Sequence, residues 1–447
     1  HQGAHQVIMR RGLIVGVALC LGVVGLRADV PKGLETFDAV WTIVRDTHFD
    51  KTFNGVDWDA AKVEFRPQAA AATSTADLRV VVRSMLARLG QSHFSILPAT
   101  EDSAAARTTP AGASTPGFDV RLVGRDVLVT TIEADGPAAA AGVRMGWRLT
   151  SIGGKPVADM LAPLKDVESV GKEEGRVAAL EAWRMIHARL NGPSGSSADL
   201  AFEDGSGATV ARSITRVAEQ GQPVTVGHLP TMYVRVNNET RTTPAGRTAG
   251  FVGFNVWMAS VDRPFQEAID QHRGAAGIVV DLRGNPGGLA AMMMGIAGHF
   301  VPDAIPLGVM KTRDNELKFT VNPRRVSAAG ERVDVYGGPV AIIVDGLSGS
   351  ASECFTGGMQ SLKRVRVFGQ RSMGAALPSQ FDRLPNGDVF IHATGDFVTA
   401  DGTRLEGRGV IPDQDVPLTR KSLLAGRDAP LDAALAWIDT QAAKGAK

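Results

Sequence analysis

Apolar residues recur at three- and four-residue spacing at Phe37, Val40, Trp41 and Val44, and again from Leu78 through Val81, Val82, Met85, Leu86 and Leu89. That period predicts helices over residues 34–89, broken by the turn Asn54-Gly55-Val56-Asp57-Trp58 and stopped at Gly90. From Gly117 the pattern changes to alternation and short apolar runs. Residues 118–122 and 127–130 read as strands, a short Ala-rich helix ends at Gly142, 160–190 read as a helical insertion, and strands within 199–214 close the unit. Past a polar hinge at 218–223, residues 231–236 and 248–254 read as strands and 264–272 as a helix. A strand, a Gly-rich turn and a helix then occur twice. The first set is 277–281, Leu282-Arg283-Gly284-Asn285-Pro286-Gly287-Gly288 and a Met-rich helix to His299; the second is 340–344, the turn 345–349 and a helix opening at Ser350. Repeated βα units imply a mostly parallel sheet covered by helices. Residues 431–443 read as a terminal helix.

The chain has 447 residues, room for several domains. Its 48 basic and 47 acidic residues leave a net charge of +1 with no long basic run, which argues against nucleic acid as a partner. Arg10-Arg11, the uncharged run 12–26 and Arg27-Ala28-Asp29 match a secretory signal over 9–28. A secreted or periplasmic protein is expected, with an uncleaved signal anchor as the alternative and sole membrane contact. Removing Cys20 with the signal leaves Cys354 alone, so neither a disulfide nor a cysteine metal cage is expected. No spacing suits a metal or another cofactor.

Residues 338–362 carry the first chemical signal. A buried strand that delivers Ser350 to a helix N-terminus places its hydroxyl where amides and the helix dipole stabilise negative charge, as acyl transfer requires. The same Ser350-x-x-Glu353 pattern also fits a capping box, in which the serine satisfies only helix amides. Cys354 reads as a small core residue, and His48, His187, His228, His272, His299 and His392 as surface or packing residues. The Gly-rich turn at 284–288 is not followed by Gly-Lys-Ser/Thr, which argues against a phosphate cradle.

Two resemblances extend this reading. Gly136-Pro137-Ala138 followed by Gly146-Trp147 and Gly153-Gly154 looks like a PDZ domain. Thr115-Pro116-Gly117-Phe118 stands at its carboxylate-binding loop, which makes Gly117 and Phe118 the implied peptide-binding residues. Asp281-Leu-Arg-Gly-Asn-Pro-Gly-Gly288 with Ser348-Gly-Ser-Ala-Ser-Glu353 resembles the S41 family, the C-terminal-processing or tail-specific serine peptidases. That match implies a nucleophilic Ser350 on a ClpP/crotonase-like core. Where one branch of the family has a lysine in a Gly-Lys element, this chain has Ala375. The tricorn-like branch uses histidine and glutamate instead, and Gln91-Ser92-His93 and Leu405-Glu406-Gly407 match its segments. His93 is then the implied base, Glu406 its orienting carboxylate and Ser92 an assistant, with Glu353 a helix cap. The implied oxyanion donors are the Ala351 amide and one from Gly287-Gly288.

The expectation is a multidomain α/β serine endopeptidase acting on protein or peptide substrates, with no cofactor and no nucleic acid. Its domains are helical 29–98 carrying Ser92-His93, a linker at 99–115, PDZ-like 116–217, a catalytic core at 224–420 and a helical tail at 421–447. The oligomeric state is not legible. Two alternatives stay open: an inactive relative that binds peptides or apolar ligands, and a crotonase-like enzyme acting on acyl thioesters.

Overall fold

The computed structural model describes residues 32–99, 114–164, 175–226 and 231–445. The expected signal at 9–28, nearly all of the linker, part of the 160–190 insertion and His228 lie outside these residues. Helices Gly33–Thr47, Trp58–Ala71 and Thr75–Ala87 form the first module. Two of them start on side-chain caps, Asp57 accepting from the Ala60 amide and Ser74 from that of Asp77. Their apolar faces meet around Phe37, Trp41, Trp58, Phe65 and Met85. The helices do not close this core alone. Leu384 and Phe390 join it from nearly 300 residues downstream, on and beside the hairpin of strands Ser379–Arg383 and Val389–Ala393. Strand Ser95–Leu97, which follows the third helix, pairs with Val389–Ala393 as well.

The second module is an antiparallel sheet of Phe118–Val123, Asp126–Ile132, Arg148–Ile152, Ser197–Glu203 and Thr209–Thr215, in that spatial order, with its own core. Helix Gly175–Leu190 packs on it. The chain enters through Ser114–Thr115 and leaves through Val217–Ala218, which pair with each other, while Gln222–Val224 pairs with Met232–Val234. The polar hinge expected at 218–223 is therefore partly strand. Pairing satisfies backbone groups that polar composition alone would leave to water.

In the third module strands Val236–Thr242, Thr248–Phe254, Ile278–Asp281, Val340–Val344, Arg366–Gly369 and Gln414–Asp415 lie side by side, and every pair after the first is parallel. Successive side chains face opposite layers. Val279, Ala341 and Ile343 meet Leu435 and Ile438 of helix Ala429–Gly445. Val280, Ile342 and Val344 enter the larger core with Phe355 and Met359 of helix Ala351–Ser361. Burial on both faces explains the unbroken apolar runs. Strands Glu316–Thr320, Pro306–Thr312 and Gly395–Thr399 add a small sheet that the sequence pattern did not announce.

Candidate active site

Strand Val340–Val344 is wholly buried and ends in a turn stitched to the earlier Gly-rich turn. Asp345 Oδ1 accepts from the amides of Gly284 (2.9 Å) and Leu347 (3.0 Å), Ser348 Oγ donates to Leu282 O (2.8 Å), and the Gly349 amide donates to Asn285 O (3.0 Å). The turn delivers Ser350 at φ 52°, ψ −119°, a conformation that costs a non-glycine residue about 1–3 kcal/mol. Two bonds hold it there: its amide donates to Ala375 O (2.8 Å) and to Glu353 Oε2 (3.1 Å). The second of these is the Glu353 half of a capping box at the start of the helix.

Glu353 departs from the expectation of a simple cap. It is fully buried, and its carboxylate also accepts from Ser372 Oγ (2.5 Å) and from the Gly374 (2.6 Å) and Ala375 (2.9 Å) amides. It thus joins the start of the helix to segment 372–375. Burial pushes it up to about 7, against the pull of these donors. Ala375 occupies the segment that would carry a lysine, and its carbonyl serves the Ser350 amide.

Gly287 lies against the serine: a Cβ there would meet Ser350 Cβ at 2.5 Å and Ala351 N at 3.0 Å. The Gly287 amide is taken by Asn285 Oδ1 (3.0 Å). Among the described residues, the Ala351 and Gly288 amides have no hydrogen-bond partner. Of the two glycines, only Gly288 therefore keeps a donor free.

Ser92, His93 and Glu406 meet across more than 300 residues of sequence. Glu406 Oε1 accepts from the Ser92 amide (2.7 Å), and its Oε2 accepts from Ser92 Oγ (2.8 Å) and from the Ala376 amide (2.9 Å). Ser92 Oγ lies 2.7 Å from His93 Nδ1. The serine's one proton goes to the carboxylate, so Nδ1 must carry a hydrogen and donate it to Ser92 Oγ, which leaves the Nε2 lone pair free. His93 itself sits at φ 59°. Burial lowers it to about 4, so it is neutral near pH 7, and burial raises Glu406 despite the Ser92 and Ala376 amides. No hydrogen bond joins Ser350 Oγ to His93. The two halves meet through segment 374–376, which touches Ser350 at Ala375 and Glu406 at Ala376.

Two further contributors come from outside the predicted site residues: His48, read only as a surface or packing residue, and Arg121. His48, fully buried, stacks on Phe94 (5.5 Å, 8°) and bonds through Nε2 to Gln91 Oε1 (2.9 Å), bracing the turn that carries Ser92 and His93. From the second module, Arg121 Nε donates to Asp345 Oδ2 (2.8 Å). Burial opposes its charge, but Asp119 and Asp345 outweigh it. Gly117 and Phe118 belong to that module rather than to the cluster. Gly117 is at φ 84°, and the Phe118 side chain is buried in the module's core.

Residues 248–416 match peptidase family S41, and residues 33–87 match the tricorn protease C1 domain. A carboxyl-terminal-processing protease of Picosynechococcus sp. is 24% identical over 387 residues, 84% of this chain and 81% of the relative. A protein described as a probable CtpA-like serine protease, from Staphylococcus haemolyticus, is 25% identical over 303 residues; that is 67% of this chain and 52% of the relative, so the chain spans about half its length. The solved structure of a photosystem II D1 C-terminal processing protease has a similar fold, with a TM-score of 0.55 at 22% identity over 93% of this chain and 99% of that one.

Proposed function

Because this chain belongs to peptidase family S41, we propose that it is a serine endopeptidase that cleaves polypeptides through an acyl-enzyme on Ser350. His93 Nε2 takes the Ser350 proton as Oγ attacks the scissile carbonyl, and returns it to the leaving amine. Ser92 transmits the orienting effect of Glu406: the carboxylate fixes the serine proton, the serine oxygen fixes the imidazole tautomer, and both stabilise the imidazolium that forms. The amides of Ala351 and Gly288 receive the oxyanion. Water repeats the cycle on the ester. Contacts of this kind tighten when substrate is bound, so the lack of a Ser350–His93 hydrogen bond suits the free enzyme.

The observation that carries this reading is the Glu406–Ser92–His93 chain, which leaves the imidazole's outer nitrogen free. A ClpP/crotonase-like core is what the S41 resemblance implies, and the mostly parallel sheet covered by helices supports it. Residues 116–217 are read as PDZ-like from the strand order and the turn at Gly117, with Gly117 and Phe118 at the loop that would face a substrate C-terminus; the Gly117 amide donates to Thr115 Oγ1 (3.1 Å) and its carbonyl accepts from the Glu133 amide (3.0 Å). The signal at 9–28 supports an extracytoplasmic location. Among the described residues no helix is long and apolar enough to cross a membrane.

A fluorophosphonate probe should label the wild-type protein, lose its target in Ser350→Ala, and react far more slowly in His93→Ala. An unlabelled wild type would refute the enzyme reading, and full reactivity of His93→Ala would refute the base.

A further inference from the structure

Segment 374–376, which joins Ser350 to Glu406, continues after two residues into strand Ser379–Arg383. This is the edge of a three-stranded sheet, and among the described residues nothing pairs with its outer side. The Leu384 amide bonds to Asp388 O (2.8 Å) and the Thr394 amide to Pro378 O (2.9 Å). These bonds fix the alternation of the antiparallel ladder: Gln380 and Asp382 bond inward, while the N–H and C=O groups of Ser379, Phe381 and Arg383 point outward. Gln380 through Arg383 are exposed, and Phe381 keeps 49% of its surface open. Phe381 stands opposite Ile391, and Ile391 opposite Ser95, two residues past His93.

The strand is held firmly. Asp382 bonds to the buried His392 Nε2 (2.7 Å), whose Nδ1 meets Thr47 Oγ1 of the first helix (3.1 Å). A rigid edge needs little ordering when a partner strand adds to it.

We propose that the outer edge of Ser379–Arg383 is a docking strand for substrate. It takes an extended segment of the polypeptide, remote from the scissile bond, as an added β-strand, with Phe381 as its apolar contact. This rests on the peptidase reading above. Continuity with the segment beside Ser350 favours substrate over a second copy of this chain. The edge is also only five residues long, with Asp382 and Arg383 at its end, features that blunt edge-to-edge association. At about 3.3 Å per residue, the four steps from Ala375 to Ser379 span at most about 13 Å. The docked segment therefore starts within about four residues of the bond that is cut. Main-chain pairing is blind to most side chains, so the substrate class is unfolded polypeptide long enough to reach this edge.

The test compares kcat/KM for a reduced, alkylated polypeptide with that for a fluorogenic peptide of three residues on each side of the scissile bond. Phe381→Pro removes the outward N–H and the ring but no inward ladder bond. It should lower the long-to-short ratio about tenfold, with Phe381→Ala intermediate. An unchanged ratio in Phe381→Pro overturns the proposal. So does a wild-type dimer that Phe381→Pro dissociates without moving the ratio, since the edge then serves a second copy. With wild-type protein alone, kcat/KM should climb about tenfold as peptides extend past four residues from the scissile bond; a flat series overturns the proposal without any variant. Failure of the peptidase reading is distinct, because neither substrate is then cleaved and the fluorophosphonate does not react.

Discussion

At the residue scale, one proton decides how the site is set. Ser92 has a single hydroxyl hydrogen, and its position between Glu406 and His93 forces the tautomer a general base needs. Ser92→Ala keeps the three groups proposed as catalytic, Ser350, His93 and Glu406, but removes the relay, and should lower kcat/KM about 10²-fold, with Ser92→Thr partly restoring it. Burial also holds His93 at about 4, below its usual 6.5. Between these values the native state refuses a proton that the unfolded chain accepts, so this group's contribution to stability falls as pH drops from 6.5 towards 4. The acid limb of kcat/KM should accordingly lie below pH 6.5, as a pH–rate profile on a short peptide would reveal. Glu353 runs the opposite way. Raised to about 7, it keeps a proton in the native state after the unfolded chain has lost it, so its contribution falls as pH rises from 4.5 to about 7. Thermal melts should show Glu353→Gln flattening that slope.

At the element scale, the proposed nucleophile depends on two turns packed against each other. The strand, turn and helix around Ser350 were legible because buried parallel strands read as unbroken apolar runs, and a helix start has a recognisable chemistry. The pressure between the turns was not legible, since it is a through-space contact. Gly287→Ala would place a Cβ 2.5 Å from that of Ser350. Fluorophosphonate labelling should slow by at least about tenfold, and the melting temperature should drop by several degrees. The hairpin of Ser379–Arg383 and Val389–Ala393 escaped the hydrophobic pattern because its outer strand is polar and exposed. Its signal was present all the same: Asn386-Gly387 is a strong hairpin turn pair.

At the scale of the whole molecule, the proposed site depends on the docking of the helical module, because Ser92 and His93 follow its third helix and meet Glu406 from the core. Arg79 of the third helix grips Asp388 of the hairpin with two bonds (2.8 and 2.6 Å), and that carboxylate is 1% exposed. Arg79→Met removes the cationic partner of a buried charge and leaves it, among the described residues, only the Ala99 amide and Asn386 Nδ2, which costs about 3 kcal/mol. Activity should fall with stability in this variant although none of the groups proposed as catalytic has changed. The expected pattern is early loss of protection in helix Thr75–Ala87, read by hydrogen exchange.

The sequence by itself determined the local matters: which runs are helix or strand, which serine opens a helix, where lysine is replaced by Ala375, and which segments carry candidate base and carboxylate. These follow from periodicity and motif, which act over a few neighbouring residues. Only the tertiary structure decided that Glu406 reaches His93 through Ser92, that Glu353 braces a distant segment, that Gly288 keeps the free amide, and that Arg121 ties the second module to Asp345. Each of these depends on which buried polar group finds which partner once the modules share a core, and burial, not sequence distance, sets those choices.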